Sequence, residues 1–345
     1  MPSFLTMWRA ALSRPVLIET RIEWDRLDPL SKWLISARAH IAILSVLASL
    51  IGGVLAWEHL PQGKWLAAFF CWLIITIGLF AAHGLGNLVS DLVDHLRGSG
   101  HGHPDSQYTR PLEREFISQH SHYIHIGISG IVTLLAGFYA WNFSGYSLML
   151  VWLFIAGAAI LASYSLLLKR FGLGEAAVLL IWGPLMITGI HVALVGGWNW
   201  MIVLASLPFG LSVAAANNAG HIDDCTEDAS RGIRTLPVII GESYARWATI
   251  GAIFAAYLIT LLLVWPIYYL TPAMIVTLVA LRAALPAVRR LLFAKPVSAP
   301  EDHPTWPMWF RDDCLSHSAA FGRYFALALF IDALMRLFPS SFWCS

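Results

Sequence analysis

The chain has 345 residues, of which 58% are hydrophobic and only 12% charged, and its mean hydropathy is +0.66. Soluble domains carry about 25% charged residues, so the composition argues against a water-soluble globule and for lipid as the solvent. A net charge of +1 gives no bulk attraction to nucleic acid, and the four cysteines are scattered without a CxxC pair, which argues against a disulfide framework or a structural zinc site.

In chain order, residues 1–35 come first. They hold no apolar stretch followed by a small-residue cleavage site, so no signal peptide is read there. Arg9, Arg14, Arg21 and Arg26 alternate with Trp8, Leu12, Ile18 and Ile22. That mixture fits either an amphipathic surface helix broken at Pro15 or a disordered cytoplasmic tail. Crossing a bilayer as a helix takes ~20 apolar residues, because lipid satisfies no exposed backbone group. Nine such segments follow, at 36–57, 65–88, 121–142, 146–168, 174–197, 198–218, 243–265, 267–288 and 318–338. The expected fold class is therefore all-α, a polytopic nine-helix bundle over residues 36–338. The Gly-Gly-Trp-Asn-Trp turn at 196–200 separates the fifth helix from the sixth, and Pro266 and Pro272 bracket the link between the seventh and eighth. Trp57, Trp65, Trp141, Trp198, Trp200 and Trp265 mark helix ends, where an indole prefers the interface. Of the 22 basic residues, only Lys64 and Arg336 fall on the side opposite the N-terminal segment. The positive-inside rule then makes the N-terminus and all the long loops cytoplasmic.

Two acid clusters open on that side, within 87–115 and 217–242. The first reads Asn87-Leu-Val-Ser-Asp91-Leu-Val-Asp94-His95, and the second Asn217-Asn218-Ala-Gly220-His221-Ile-Asp223-Asp224-Cys-Thr-Glu227-Asp228. Asn87 and Asp91 are four apart, as are Asp224 and Asp228, which puts each pair on one helix face. Crowded carboxylates repel one another unless a cation sits between them. Hard oxygen ligands suit magnesium, which bridges one or two carboxylates to substrate phosphates. A lipid-like diphosphate fits, with its head at the cytoplasmic mouth and its tail among the helices. Lys169, Arg170, Arg231 and Arg234 lie on the same side to hold phosphate oxygens. The blander reading has the acids merely keeping loops soluble, Lys169-Arg170 anchoring the membrane edge, and Asn87, Asn217 and Asn218 capping helices. Asn87 and Asn218 are carried forward as substrate contacts.

His101-Gly-His103-Pro-Asp105 and His120-Ser-His122-Tyr-Ile-His125 suggest a metal at first sight. They lack the spaced HxxxH and HxxHH boxes of a membrane di-iron oxygenase, and an ordinary interfacial role is expected. Residues 295–313 form a proline- and tryptophan-rich loop that the sequence places either on the membrane surface or over the site.

Asp224-Cys-Thr-Glu-Asp228-Ala-Ser-Arg231-Gly232-Ile-Arg234-Thr235-Leu236-Pro237 resembles the second motif of UbiA-type membrane prenyltransferases, a DxxxD followed by G-x-R-T-L. Tyr164-Ser-Leu-Leu-Leu-Lys169-Arg170-Phe-Gly172-Leu-Gly174-Glu175 resembles that family's tyrosine/lysine segment after its fourth helix. The Gly-Leu-Gly-Glu ending and Arg110-Pro111-Leu112 are similar to the dihydroxynaphthoate, or menaquinone-pathway, branch; Gly183-Pro184 also fits. The resemblance spans roughly residues 30–340 and implies a nine-helix prenyltransferase with its site at the cytoplasmic face. It implies magnesium (Mg2+) held by Asp91, Asp94, Asp224 and Asp228, and catalytic roles for Asp91, Asp224, Asp228, Tyr164 and Lys169. It implies substrate contacts at Asn87, Arg110, Lys169, Arg170, Asn218, Arg231 and Arg234. The substrates would be a polyprenyl diphosphate and an aromatic acceptor, with membrane lipid around the chain. Asp224 and Asp228 are expected to face solvent.

Three positions depart from the pattern. Leu88 replaces the acid after Asn87, His95 stands where a last Asp is usual, and Gly220 stands four residues ahead of Asp224 where Asn is frequent. These departures leave two alternatives: a UbiA-type terpene cyclase, or a non-catalytic subunit that binds a quinone or prenyl lipid within a membrane complex. A transporter is disfavoured because ionisable residues gather at loops rather than mid-membrane.

Overall fold

The computed structural model describes residues 4–96, 109–298, 300 and 306–337, and every regular element among them is helical. The N-terminal segment folds into three short helices, α1 (Phe4–Ser13), α2 (Arg21–Asp25) and α3 (Pro29–Ser36). Thr20 and Glu23 form a reciprocal capping box on α2. Asp28 caps α3 by accepting from Leu30 N at 3.0 Å and Ser31 N at 3.1 Å, and it also accepts from Trp8 Nε1 at 3.1 Å. That shared carboxylate ties α1 to α3. Trp24 is buried beneath them, whereas Phe4, Leu5 and Ile22 stay exposed.

Then come α4 (Ile43–Trp57), α5 (Trp65–Leu96), α6 (Gln119–Phe143), α7 (Leu148–Ser163), α8 (Gly174–Val195), α9 (Trp200–Asp223), the short α10 (Cys225–Ser230) and α11 (Leu236–Ile240), α12 (Glu242–Val264), α13 (Pro272–Leu291) and α14 (Arg311–Leu337). Among the described residues, seven helices are long and apolar enough to cross a membrane: α5, α6, α8, α9, α12, α13 and α14. The two other expected spans are shorter as regular helix, with 15 residues in α4 and 16 in α7. Each has a local cause. Arg38 takes a left-handed backbone (φ 52°), which breaks the helix expected from residue 36 and delays α4 to Ile43. The helix of α7 gives way at Tyr164–Leu168 to a π-helical turn. The sequence also drew the last span too short at its start, since α14 begins at Arg311.

The core is centred on α9, which packs against α8, α12 and α14 and buries Phe209 completely. The crossing of α8 and α9 needs glycine on both sides. A Cβ at Gly210 would lie 2.8 Å from Leu179 O and 3.1 Å from Gly183 Cα. By contrast α6 exposes Ile128, Ile131, Leu134, Leu135 and Phe138, and α7 buries nothing. An apolar face of that extent suits contact with lipid.

Candidate active site

The first cluster sits on the last turns of α5. His83, Asn87 and Asp91 recur every four residues and so share a face. Ser45 Oγ lies 2.8 Å from His83 Nδ1, and Asn87 Nδ2 donates to Ala37 O at 2.8 Å. Asp91 is 3% exposed and accepts from the Arg38 guanidinium. The left-handed turn at Arg38 is what aims that guanidinium at α5. Arg110 pairs with Glu113 at 2.7 Å. Burial pushes the Glu113 carboxyl up while Arg110 pulls it down, and Asp91 acts on it too, which brings this pair to the same cluster. Asp94 is half-buried and His95 exposed.

Leu88 is fully buried, and its carbonyl is bound by His122 Nε2 at 2.9 Å. Position 88 is thus enclosed where α5 meets α6, which accounts for an apolar residue there. His122 serves this helix contact. Among the described residues no group of three or more His, Cys, Asp or Glu side chains could hold a metal. His101, His103 and Asp105 lie outside the described residues.

The second cluster is assembled from three elements: the turns after α7, the start of α8, and the α9–α10 junction. Tyr164 Oη donates to Asn217 Oδ1 at 3.1 Å. Glu175 Oε1 lies 2.6 Å from His221 Nδ1. Gly174 lets these groups converge, since a Cβ there would lie 3.1 Å from His221 Cε1 and 3.6 Å from Tyr164 Oη. Lys169 Nζ lies 3.5 Å from Asp228 Oδ1. Asp228 is 4% exposed, which corrects the expectation that it faces solvent; Asp224 is half-buried. Burial raises the Asp228 carboxyl above the usual range, with Lys169 and His221 opposing the shift and Asp224 adding to it. Its second oxygen, Oδ2, has no well-formed hydrogen bond among the described residues, although the buried Thr235 hydroxyl is close enough to favour the charged form. Glu175 Oε2 is likewise buried without a partner. Carboxylate oxygens left without a partner are the kind of donor a hard cation takes.

Asn218 requires a correction. It is 3% exposed, and its Nδ2 donates to Ala245 O at 3.1 Å and Thr249 Oγ1 at 2.9 Å, both on α12. One residue along a helix turns the side chain by a quarter-circle or more, so Asn217, not Asn218, meets Tyr164. We expect Asn218→Ala to destabilise the chain by about 1–3 kcal/mol through the groups it strands. A lowered melting temperature in detergent with unchanged substrate affinity would verify this.

Of the other basic candidates, Arg170 is half-buried, Arg231 pairs with Glu227 one turn away, and Arg234 is exposed. Sequence reasoning assigned no role to Arg38, His221 or Asp223, and between the neighbours Asn217 and Asn218 it carried Asn218 forward. Asp223 is the anchor of the loop before α14. Its carboxylate accepts from Trp309 N at 3.0 Å, Phe310 N at 3.0 Å and Arg311 N at 2.9 Å, and lies 3.4 Å from Lys295 Nζ. Lys295 and residues 309–311 are therefore pinned to the end of α9.

A bundle of membrane-length helices with two acid-bearing helix ends, each backed by a lysine or arginine, defines a polytopic membrane protein. The family model of the UbiA prenyltransferase family matches residues 39–303, and the chain belongs to that family. It is 27% identical over 186 residues to "UbiA prenyltransferase domain-containing protein 1" of Gallus gallus, covering 53% of this chain and 55% of that one. The Homo sapiens protein of that name is 24% identical over 185 residues, covering 53% and 54%. The chain thus spans about half the length of the curated relatives it matches. Among solved structures, a UbiA homolog from Aeropyrum pernix K1 superposes with a TM-score of 0.63 at 17% identity, covering 84% of this chain and 97% of that one. A UbiA homolog from Archaeoglobus fulgidus, solved bound to DMAPP and Mg2+, gives a TM-score of 0.54 at 12% identity, covering 87% and 99%. These likenesses establish the fold.

Proposed function

We propose that the chain is a magnesium-dependent prenyltransferase that moves a polyprenyl group from a prenyl diphosphate to an aromatic quinone precursor at the cytoplasmic membrane face. The observation that carries this reading is Asp228, buried beside Lys169 with one carboxylate oxygen unclaimed. An enclosed, half-neutralised carboxylate is costly to keep unless a ligand completes it. Gly172-Leu-Gly-Glu175 and Arg110-Pro-Leu112 favour a dihydroxynaphthoate-like acceptor. In this reading α4 and α7 complete a set of nine spans, with the turns beside each supplying the missing length. The concentration of basic residues beside both acid clusters supports a cytoplasmic site.

Asp91, Asp94, Asp224 and Asp228 would hold magnesium, which when bound supplies positive charge to the diphosphate oxygens. Lys169 and Arg170 bind those oxygens directly. The C1–O bond opens with its electron pair retained by the diphosphate, and the allylic carbon is left cationic. The Tyr164 ring offers its face to that cation. Helix walls exclude water that would quench it. A ring carbon of the acceptor then forms the new C–C bond and loses its proton to the cytoplasmic side.

The test is an assay of the purified full-length protein with prenyl diphosphates of graded length and a panel of aromatic acceptors, with magnesium or with a chelator. A prenylated aromatic product formed only with magnesium is expected. A cyclised hydrocarbon would replace transfer by cyclisation, and absence of diphosphate release in every combination would overturn catalysis.

A further inference from the structure

Arg311 opens α14, and its surroundings fix where its side chain goes. Its own N–H and those of Trp309 and Phe310 all donate to the Asp223 carboxylate. Phe310 is 1% exposed, and the Trp309 ring lies 4.6 Å from the Arg290 guanidinium. The start of α14 is thus clamped onto the end of α9. From that mount the Arg311 stem crosses Gly220, where a Cβ would lie 3.2 Å from Arg311 Cδ and 3.6 Å from Nε. A side chain at 220 would crowd it.

That contact sets the stem against the last turns of α9, next to His221, whose Nδ1 lies 2.6 Å from Glu175 Oε1 in the second cluster. Other cations of the site face carboxylates: Arg38 with Asp91, Lys169 with Asp228, Arg110 with Glu113, Lys295 with Asp223. The Arg311 side chain forms no ion pair or hydrogen bond among the described residues. A guanidinium held on a rigid mount, half-buried beside the second acid cluster and paired with none of its acids, is a positive group awaiting an anion.

We propose that Arg311 binds the diphosphate of the prenyl donor, reaching it from α14 across the space that Gly220 leaves open. This rests on the donor reading given above. A guanidinium fork matches phosphate oxygens two at a time. Lys169 already shares its charge with Asp228, so Arg311 adds the cation that is least committed before substrate arrives. When the C1–O bond breaks, its electron pair stays on the diphosphate and the negative charge there rises. Arg311 stabilises that charge and gives up no proton. The close approach of the arginine stem also suits the absence of a side chain at 220.

The experiment compares the full-length wild type with Arg311→Gln and Arg311→Lys, using exposed Arg323→Gln on the same helix as control. Inorganic diphosphate binding is measured calorimetrically with magnesium present, and donor KM separately. Arg311→Gln is expected to weaken diphosphate binding and raise donor KM by about tenfold or more, the loss of one strong charged contact. Arg311→Lys should fall between, and Arg323→Gln should match the wild type. If Arg311→Gln folds poorly, the lysine variant decides through its intermediate affinity. Unchanged diphosphate affinity in both Arg311 variants, with clear binding by wild type, overturns the role of Arg311 alone. Absence of diphosphate binding by the wild type overturns this proposal and the donor reading together.

Discussion

Asp228→Asn is expected to lower turnover by ~10²–10³, the usual cost of removing one charge-stabilising group from a preorganised site. The substitution keeps the shape of the side chain and leaves the backbone of the α10 turn alone, where Ile233 N donates to the Asp228 carbonyl at 2.8 Å. What it removes is the charge on a nearly enclosed carboxylate. Burial raises the folded-state pKa of Asp228 above its ordinary value. The ionised form therefore opposes folding of the unliganded chain over the pH range above the unfolded value, and a neutral amide relieves that opposition. The ligand-free Asn variant should melt no lower than wild type while losing activity, the trade expected of a binding residue. Initial rates across a magnesium titration, with melting curves in detergent, check both halves. Wild-type rates at limiting magnesium would remove Asp228 from the ligand set. A variant that melts well below wild type would show that its role is to hold α10 in place.

Much of the scaffold is legible in the sequence because hydropathy and interfacial tryptophans report the membrane directly. They report helices less well. The span expected at 65–88 is the apolar part of α5, yet the helix runs on to Leu96 through Asn87, Asp91 and Asp94. The signal measures lipid contact, and the site is built where lipid contact ends and the helix does not. The break at Arg38 has the opposite character. Nothing in residues 36–42 demands a left-handed turn; the buried ion pair with Asp91, distant in sequence, supports it. The same holds for Asp223, whose partners near residue 310 are brought to it only by the packing of α14 on α9. The spacing of Asn217 and Asn218 narrows the choice to two neighbours, but which one meets Tyr164 depends on the rotation of α9, set by Gly210 and Gly183 at the α8 crossing. Local chemistry such as the Asp28 cap and the motif from Asp224 to Leu236 can be read from the chain. Pairings across the bundle cannot, and they decide which acids stay open to a ligand.

Asp94→Ala should cost turnover about as much as Asp91→Ala, on the order of 10² for a metal-facing carboxylate, whereas His95→Ala should be mild. Leu88 is fully buried, which closes that position to a metal ligand. Asp91 is buried and already answered by Arg38, so a single aspartate there brings little net negative charge to a cation. A second carboxylate three residues on shares the helix face, and Asp94 is half-buried at the last turn of α5. His95 is exposed, and a neutral imidazole is a poor ligand for magnesium, which takes oxygen donors. An acid at 95 would instead stand four residues from Asp91, close enough on that face to take over the task of residue 94. His95→Asp in the Asp94→Ala background is therefore expected to recover part of the lost rate. The comparison is made at saturating donor and limiting magnesium, where a weakened metal site shows most. Equal rates for Asp94→Ala and wild type under those conditions would mean that the first cluster, neutralised by Arg38, holds no metal of its own, and that Asp224 and Asp228 carry the metal alone.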